Sequence, residues 1–147
     1  MQAPKTSVWK VIRILSIGAA VVYCALALLS TFVFPGRYTD CEKATKYLNG
    51  GEKVYADRKF RVTLCGNGGD ENFMHDKIRM QIFSESGELL AQRKFYVDWN
   101  GAGPFELEYG EDHLTYFDVS GGTDFKRQVS MPPTWLDWVR ARLPLVD

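Results

Sequence analysis

The chain has 147 residues, and its 18 basic residues balance its 18 acidic ones. The balance hides a split: Lys5, Lys10 and Arg13 precede residue 36 while every acidic residue follows it, so residues 36–147 carry a net charge of −3. That excess argues against nucleic acid, which selects a strongly basic surface, and residues 36–147 suffice for one ordinary core but not two.

In chain order, residues 1–13 form a short basic tail without an acidic residue, too short to fold by itself. Ile14 to Phe34 follow without a charge, and Pro35-Gly36 closes the run. At the helical rise per residue this stretch is about 30 Å long, the thickness of a bilayer's hydrocarbon core. The spacing predicts one transmembrane helix at 14–34. A cleaved signal peptide would use the small-x-small site Ala25-Leu26-Ala27, but that cut leaves an apolar LLSTFVF terminus, so an uncleaved signal anchor is favoured. Cys24 follows Tyr23, too bulky for the position before a lipidated cysteine. Ser16, Ala20, Cys24 and Ala27 form a stripe of small residues that would let a second helix approach.

Orientation rests on a lean towards basic residues before the span and on two cysteines beyond it, Cys41 and Cys65. An even pair fits one disulfide in an oxidising compartment. The expectation is a cytoplasmic tail at 1–13, a hinge at 35–39 and an extracytoplasmic domain at 40–147, anchored by a single pass in a bacterial inner membrane with the domain in the periplasm.

Within that domain, Cys41, Ala44, Tyr47 and Leu48 predict a short helix, capped by Thr39 or Asp40 and stopped at Asn49-Gly50-Gly51. The period then becomes two. Phe60, Val62 and Leu64 alternate with Lys59, Arg61 and Thr63, and Ile78, Met80 and Ile82 with Arg79, Gln81 and Phe83. Ser84 to Glu88 reads as a turn with Gly87 at positive φ, a hairpin closed by a bulge, and the return strand runs from Leu89 to Trp99. After Asn100 to Pro104, a second hairpin pairs Phe105–Tyr109 with Leu114–Phe117. The fold class is therefore a single N-terminal transmembrane helix and a small, mainly β domain. Its five or six strands form an antiparallel meander or a sandwich-like pair of sheets, with a short helix before the sheet and a helix at the C-terminus.

Pro132-Pro133 leads into that last helix, with Thr134 as N-cap and Asp137 as its capping-box partner, and Pro144 stops it. The favoured reading has it cover the sheet and bury Trp135 and Trp138; the alternative lays it in a membrane interface.

Motifs for chemistry are weak. Gly66 to Asp70 is glycine-rich but lacks the Lys-Ser/Thr of a phosphate loop. Asp70, Glu71, Asn72 and Asp76 offer oxygen ligands without EF-hand spacing, and His75 and His113 lack a metal-ligand pattern. No catalytic residue, cofactor site or metal site is assigned, and the expectation is a protein that is not an enzyme.

Charge distribution carries the functional reading. Between Phe95 and Phe125 there is no Lys or Arg, whereas Asp98, Glu106, Glu108, Glu111, Asp112, Asp118 and Asp124 are all there. An acidic surface of Glu106, Glu108, Glu111 and Asp112, with Tyr109 and Tyr116 as aromatic anchors, would suit a basic protein partner. In layout alone the chain is similar to small membrane-anchored immunity proteins of bacterial contact-dependent antagonism systems. That resemblance implies a toxin-neutralising periplasmic domain and carries over no functional position. The expectation is an inhibitor or immunity protein acting by occlusion; the alternative is a structural accessory subunit of an envelope complex.

Overall fold

A computed structural model describes residues 5–32, 38–67, 75–99 and 104–143. The chain divides into two units, Met1–Pro35 and Gly36–Asp147.

The first unit is helix α1, Lys5–Phe32. Its stretch Trp9–Leu29 is long and apolar enough to cross a membrane. Apolar side chains such as Ile14, Leu15, Ile17 and Val21 are exposed around it, where a soluble core helix would present a polar face. The helix begins nine residues before Ile14, so most of the tail read as too short to fold is helical. Trp9, Val11 and Ile12 continue the apolar run past Lys10 and Arg13, whose long stems can lie along an apolar helix with their charges outward. The expected end of the span at Phe34 and most of the hinge lie outside the described residues.

The second unit starts with helix α2, Cys41–Tyr47. Seven strands follow: β1 Gly51–Tyr55, β2 Arg58–Gly66, β3 His75–Ser84, β4 Leu89–Asp98, β5 Glu108–Tyr109, β6 His113–Phe117 and β7 Lys126–Ser130. Helix α3, Trp135–Arg140, is the last described element. The strands form two antiparallel meanders, β1-β2-β3-β4 and β5-β6-β7. One core joins them: Phe60, Val62, Leu64, Ile78, Met80, Ile82 and Phe95 of the larger sheet pack with Leu114, Tyr116 and Val129 of the smaller. The sandwich-like form is thus the one adopted.

Seven strands exceed the five or six read from periodicity. The two that were missed are edge strands. In β1 only Tyr55 is buried and in β7 only Val129, so neither has the apolar alternation that marks a half-buried strand. By contrast β5 shrinks to two residues, because Leu107 N–H donates to Leu48 O instead of joining the ladder. The β3–β4 turn is as the spacing predicts, with Gly87 at φ 84° and a register shift at Ile82/Phe83.

Helix α2 covers the edge that β2 exposes beyond the end of β1. Thr45 Oγ1 accepts from Leu64 N at 2.9 Å and donates to Leu64 O at 3.1 Å, taking the place of a neighbouring strand. Cys41 and Cys65 are disulfide-bonded there. Asp40 occupies the N-cap position but its side chain makes no capping bond, since φ of 51° puts it in the left-handed region. Gly50 ends the helix where nothing larger fits: a Cβ would lie 2.7 Å from Leu64 Cδ1 and 2.8 Å from Val62 O.

Helix α3 packs on β4, but by polar contacts. Arg93, on the core side of β4 opposite Met80, forms an ion pair with Asp137. Trp138 Nε1 donates to Glu88 Oε1 at 2.7 Å, and Arg142 donates to Leu89 O at 2.9 Å. The expected burial of the tryptophans is therefore corrected: Trp135 is 72 % and Trp138 40 % exposed. The capping box leaves the buried side of the helix to Asp137, which turns the tryptophans outward.

Candidate functional site

The acidic candidates lie on and beside β5, the edge strand of the smaller sheet. Glu106, Glu108, Glu111 and Asp112 are all exposed. Glu106 precedes β5, Glu108 lies in it, and Glu111 and Asp112 sit in the turn between β5 and β6. Charges on an edge also block pairing with another chain, a structural use that needs no partner.

Register decides which aromatic residues share their face. Glu108 is opposite Thr115, which is opposite Gln128; Phe117 is opposite Lys126. Leu114 and Tyr116 belong to the core, so Glu108, Thr115, Phe117 and Lys126 look outward. On that outer side Phe105, Phe117 and Phe125 form a cluster, with ring centroids 5.1 Å apart for Phe105–Phe117 and 5.5 Å for Phe105–Phe125. Phe117 is buried by its neighbours, while Phe105 is 54 % exposed.

Tyr109 and Tyr116, the tyrosines nominated as anchors, face the other way. Tyr116 is 8 % exposed and packs against Phe95 at 4.9 Å. Tyr109 is half-buried, and its hydroxyl donates to Asn49 O at 2.7 Å. Burial raises the pKa of both phenols, which stay neutral. Both hold the core together. A strand over the whole of Phe105–Tyr109 would put Phe105 on the core side with Leu107 and Tyr109; the ladder begins only at Glu108, so Phe105 is free to turn outward.

Folding also brings cations to these acids. Lys126 Nζ is 3.7 Å from Glu108 Oε2, and Arg127 Nη1 is 3.2 Å from Asp124 Oδ2. Such exposed pairs are worth little. Asp112 Oδ1 meets His113 Nδ1 at 2.7 Å, and this hydrogen bond holds the Asp112 carboxyl below its usual range. Among the described residues Glu106 and Glu111 have no ion-pair partner.

The remaining candidates are scattered. Asp70, Glu71 and Asn72, with most of the glycine-rich stretch, lie outside the described residues. Asp76 lines a cleft of about 410 Å³ with Asp40, Lys43, Tyr47 and Trp99, and its Oδ2 accepts from Trp99 Nε1 at 3.3 Å. His75 is exposed at the start of β3, away from His113 on β6. No group of three or more His, Cys, Asp or Glu able to hold a metal occurs among the described residues. What the smaller sheet and its β5–β6 turn present is an exposed aromatic ring, Phe105, and the exposed carboxylates of Glu106, Glu108, Glu111 and Asp112. Comparison with protein-family models, curated proteins and solved structures returns no match.

Proposed function

We propose that this chain is a membrane-tethered binding protein of the bacterial periplasm that neutralises a basic protein partner by occlusion, as an inhibitor or immunity protein does. Helix α1 supplies a tether, and the Cys41–Cys65 bond fits an oxidising compartment. The observation that carries the reading is Phe105, half-exposed on a two-ring platform and next in sequence to the unpaired Glu106. Aromatic anchors rimmed by charge give partner affinity and fast encounter.

The test immobilises the full-length protein in a detergent micelle and measures binding of strongly basic secreted and envelope proteins. Glu106→Lys with Glu111→Lys should slow association about tenfold at low salt, with the difference vanishing at high salt. Phe105→Ala should raise the dissociation rate. Partners whose rates respond to neither change would refute the surface. Exchanging α1 for an unrelated apolar span should leave binding intact; loss of function on that exchange would favour an envelope accessory subunit, whose helix takes part in assembly.

A further inference from the structure

The larger sheet has an outer face of the opposite character. Phe60, Val62 and Leu64 of β2 and Ile78, Met80 and Ile82 of β3 point into the core. Alternation therefore turns Lys59 and Arg61 of β2, Lys77 and Arg79 of β3, and Lys94 and Tyr96 of β4 outward. Register makes them neighbours: Arg79 lies between Cys65 and Lys94, Lys77 is opposite Tyr96, and Arg61 is opposite both Glu52 and Phe83. Five basic residues share this face with the acidic Glu52 and Asp98, and Glu85 borders it beside Lys59 and Arg61, in a domain of net charge −3. Aromatic rings hold three of the cations in place. Arg61 lies over Phe83 at 5.3 Å, Arg79 over Tyr38 at 4.5 Å and Lys77 over Tyr96 at 5.6 Å. Val54, across from Lys59 on the same face, is 66 % exposed.

Tyr38 links this face to the tether. It follows Phe32, the last residue of α1, by six positions. Six residues of extended chain reach at most about 20 Å. The Tyr38–Arg79 end of this face is thus kept within roughly two Debye lengths of the headgroups when α1 spans a bilayer. We propose that the outer face of the four-stranded sheet rests on anionic phospholipid headgroups, with Lys59, Arg61, Lys77 and Arg79 as the main contacts. Because the two sheets pack on opposite sides of one core, this contact would turn the Phe105 face away from the bilayer. The inference rests on the membrane-tether reading given above.

The test reconstitutes the full-length protein in nanodiscs of phosphatidylcholine alone or mixed with phosphatidylglycerol. Lysines are acylated with an amine-reactive reagent, and the rate at each is read by mass spectrometry. A basic residue near an anionic surface gains about fivefold in local partitioning, so Lys59 and Lys77 should label about fivefold more slowly in anionic discs. Lys126 on β7 of the smaller sheet should be unchanged, and added salt should abolish the difference. In a Lys59→Gln, Arg61→Gln variant, both positions exposed and outside the core, Lys77 should lose its protection. Equal rates in the two discs, or equal slowing at Lys126, would overturn the proposal. A protein that fails to enter discs of either composition would overturn the tether, and the docking face with it.

Discussion

The Arg93–Asp137 pair is the contact whose loss should cost the domain most per atom removed. Side-chain exposure is 12 % for Arg93 and 9 % for Asp137, so both charges are largely out of water. The Asp137 carboxylate also accepts from Thr134 N at 2.9 Å and Thr134 Oγ1 at 2.6 Å. One carboxylate thus neutralises a buried guanidinium and caps α3. Asp137→Ala leaves Arg93 buried without its counter-ion, a cost of about 3–5 kcal/mol, and deletes half the capping box, worth about 1 kcal/mol. The two overlap, because both bonds go to one carboxylate, so a loss of about 4 kcal/mol is expected. A domain of this size is stable by roughly 6–17 kcal/mol at 0.05–0.15 kcal/mol per residue. With a urea slope of about 2 kcal/mol/M the midpoint should fall by about 2 M. The assay is urea unfolding of the full-length protein in a mild micelle, followed by tryptophan fluorescence and far-ultraviolet circular dichroism. Replacing both partners, as Arg93→Met with Asp137→Leu, should recover most of the loss, since no charge is then stranded. A loss below about 1 kcal/mol for Asp137→Ala, or a double variant as weak as the sum of its parts, would refute the reasoning.

Acid provides an independent check on the same group. Burial pushes the Asp137 pKa up, but the hydrogen bonds from Thr134 and Arg93 outweigh it and hold the carboxyl below its ordinary 3.8. The folded value is the lower one, so the stabilisation is complete above the unfolded pKa and is lost as pH falls through the folded one. Unfolding scans below about pH 4 should therefore show a decline that Asp137→Asn makes shallower.

Two further changes test the α2–β2 contact. Replacing Cys41 and Cys65 with serine opens a loop of sequence separation 24. On the entropy model this should cost about 3–4 kcal/mol, read as a drop in urea midpoint that reductant reproduces in the native protein. Gly50→Ala should cost about 1–3 kcal/mol, since the added methyl meets Val62 O and the Leu64 side chain and α2 must move off the strand. An unchanged midpoint for Gly50→Ala would mean that α2 is looser on β2 than its Thr45–Leu64 bonds imply.

Local patterns were readable wherever the physics is local. The apolar run of α1, the alternation of β2, β3 and β4, the positive φ at Gly87 and the Thr134–Asp137 cap each depend on residues within one element or turn. The Cys41–Cys65 pairing followed from having just two cysteines beyond the span. Edge strands β1 and β7 were silent because one partner and little burial leave no period to see.

What the chain does with its polar and aromatic residues was decided by tertiary structure. Tyr109 and Tyr116 face the core and Phe105 faces water because the β5 ladder starts at Glu108, a register set by β6 across a turn. Lys126 reaches Glu108 only because β7 returns beside β6, so an acidic run in sequence becomes a mixed surface in space. Arg93 looks like one more surface cation until Asp137, far along the chain, is packed over it and the helix turns its tryptophans outward. Sequence by itself determined where this protein is apolar, where it alternates and where it turns, because those preferences act between near neighbours. Which face each residue finally shows, and to which charge, came from long-range strand pairing that no local window contains.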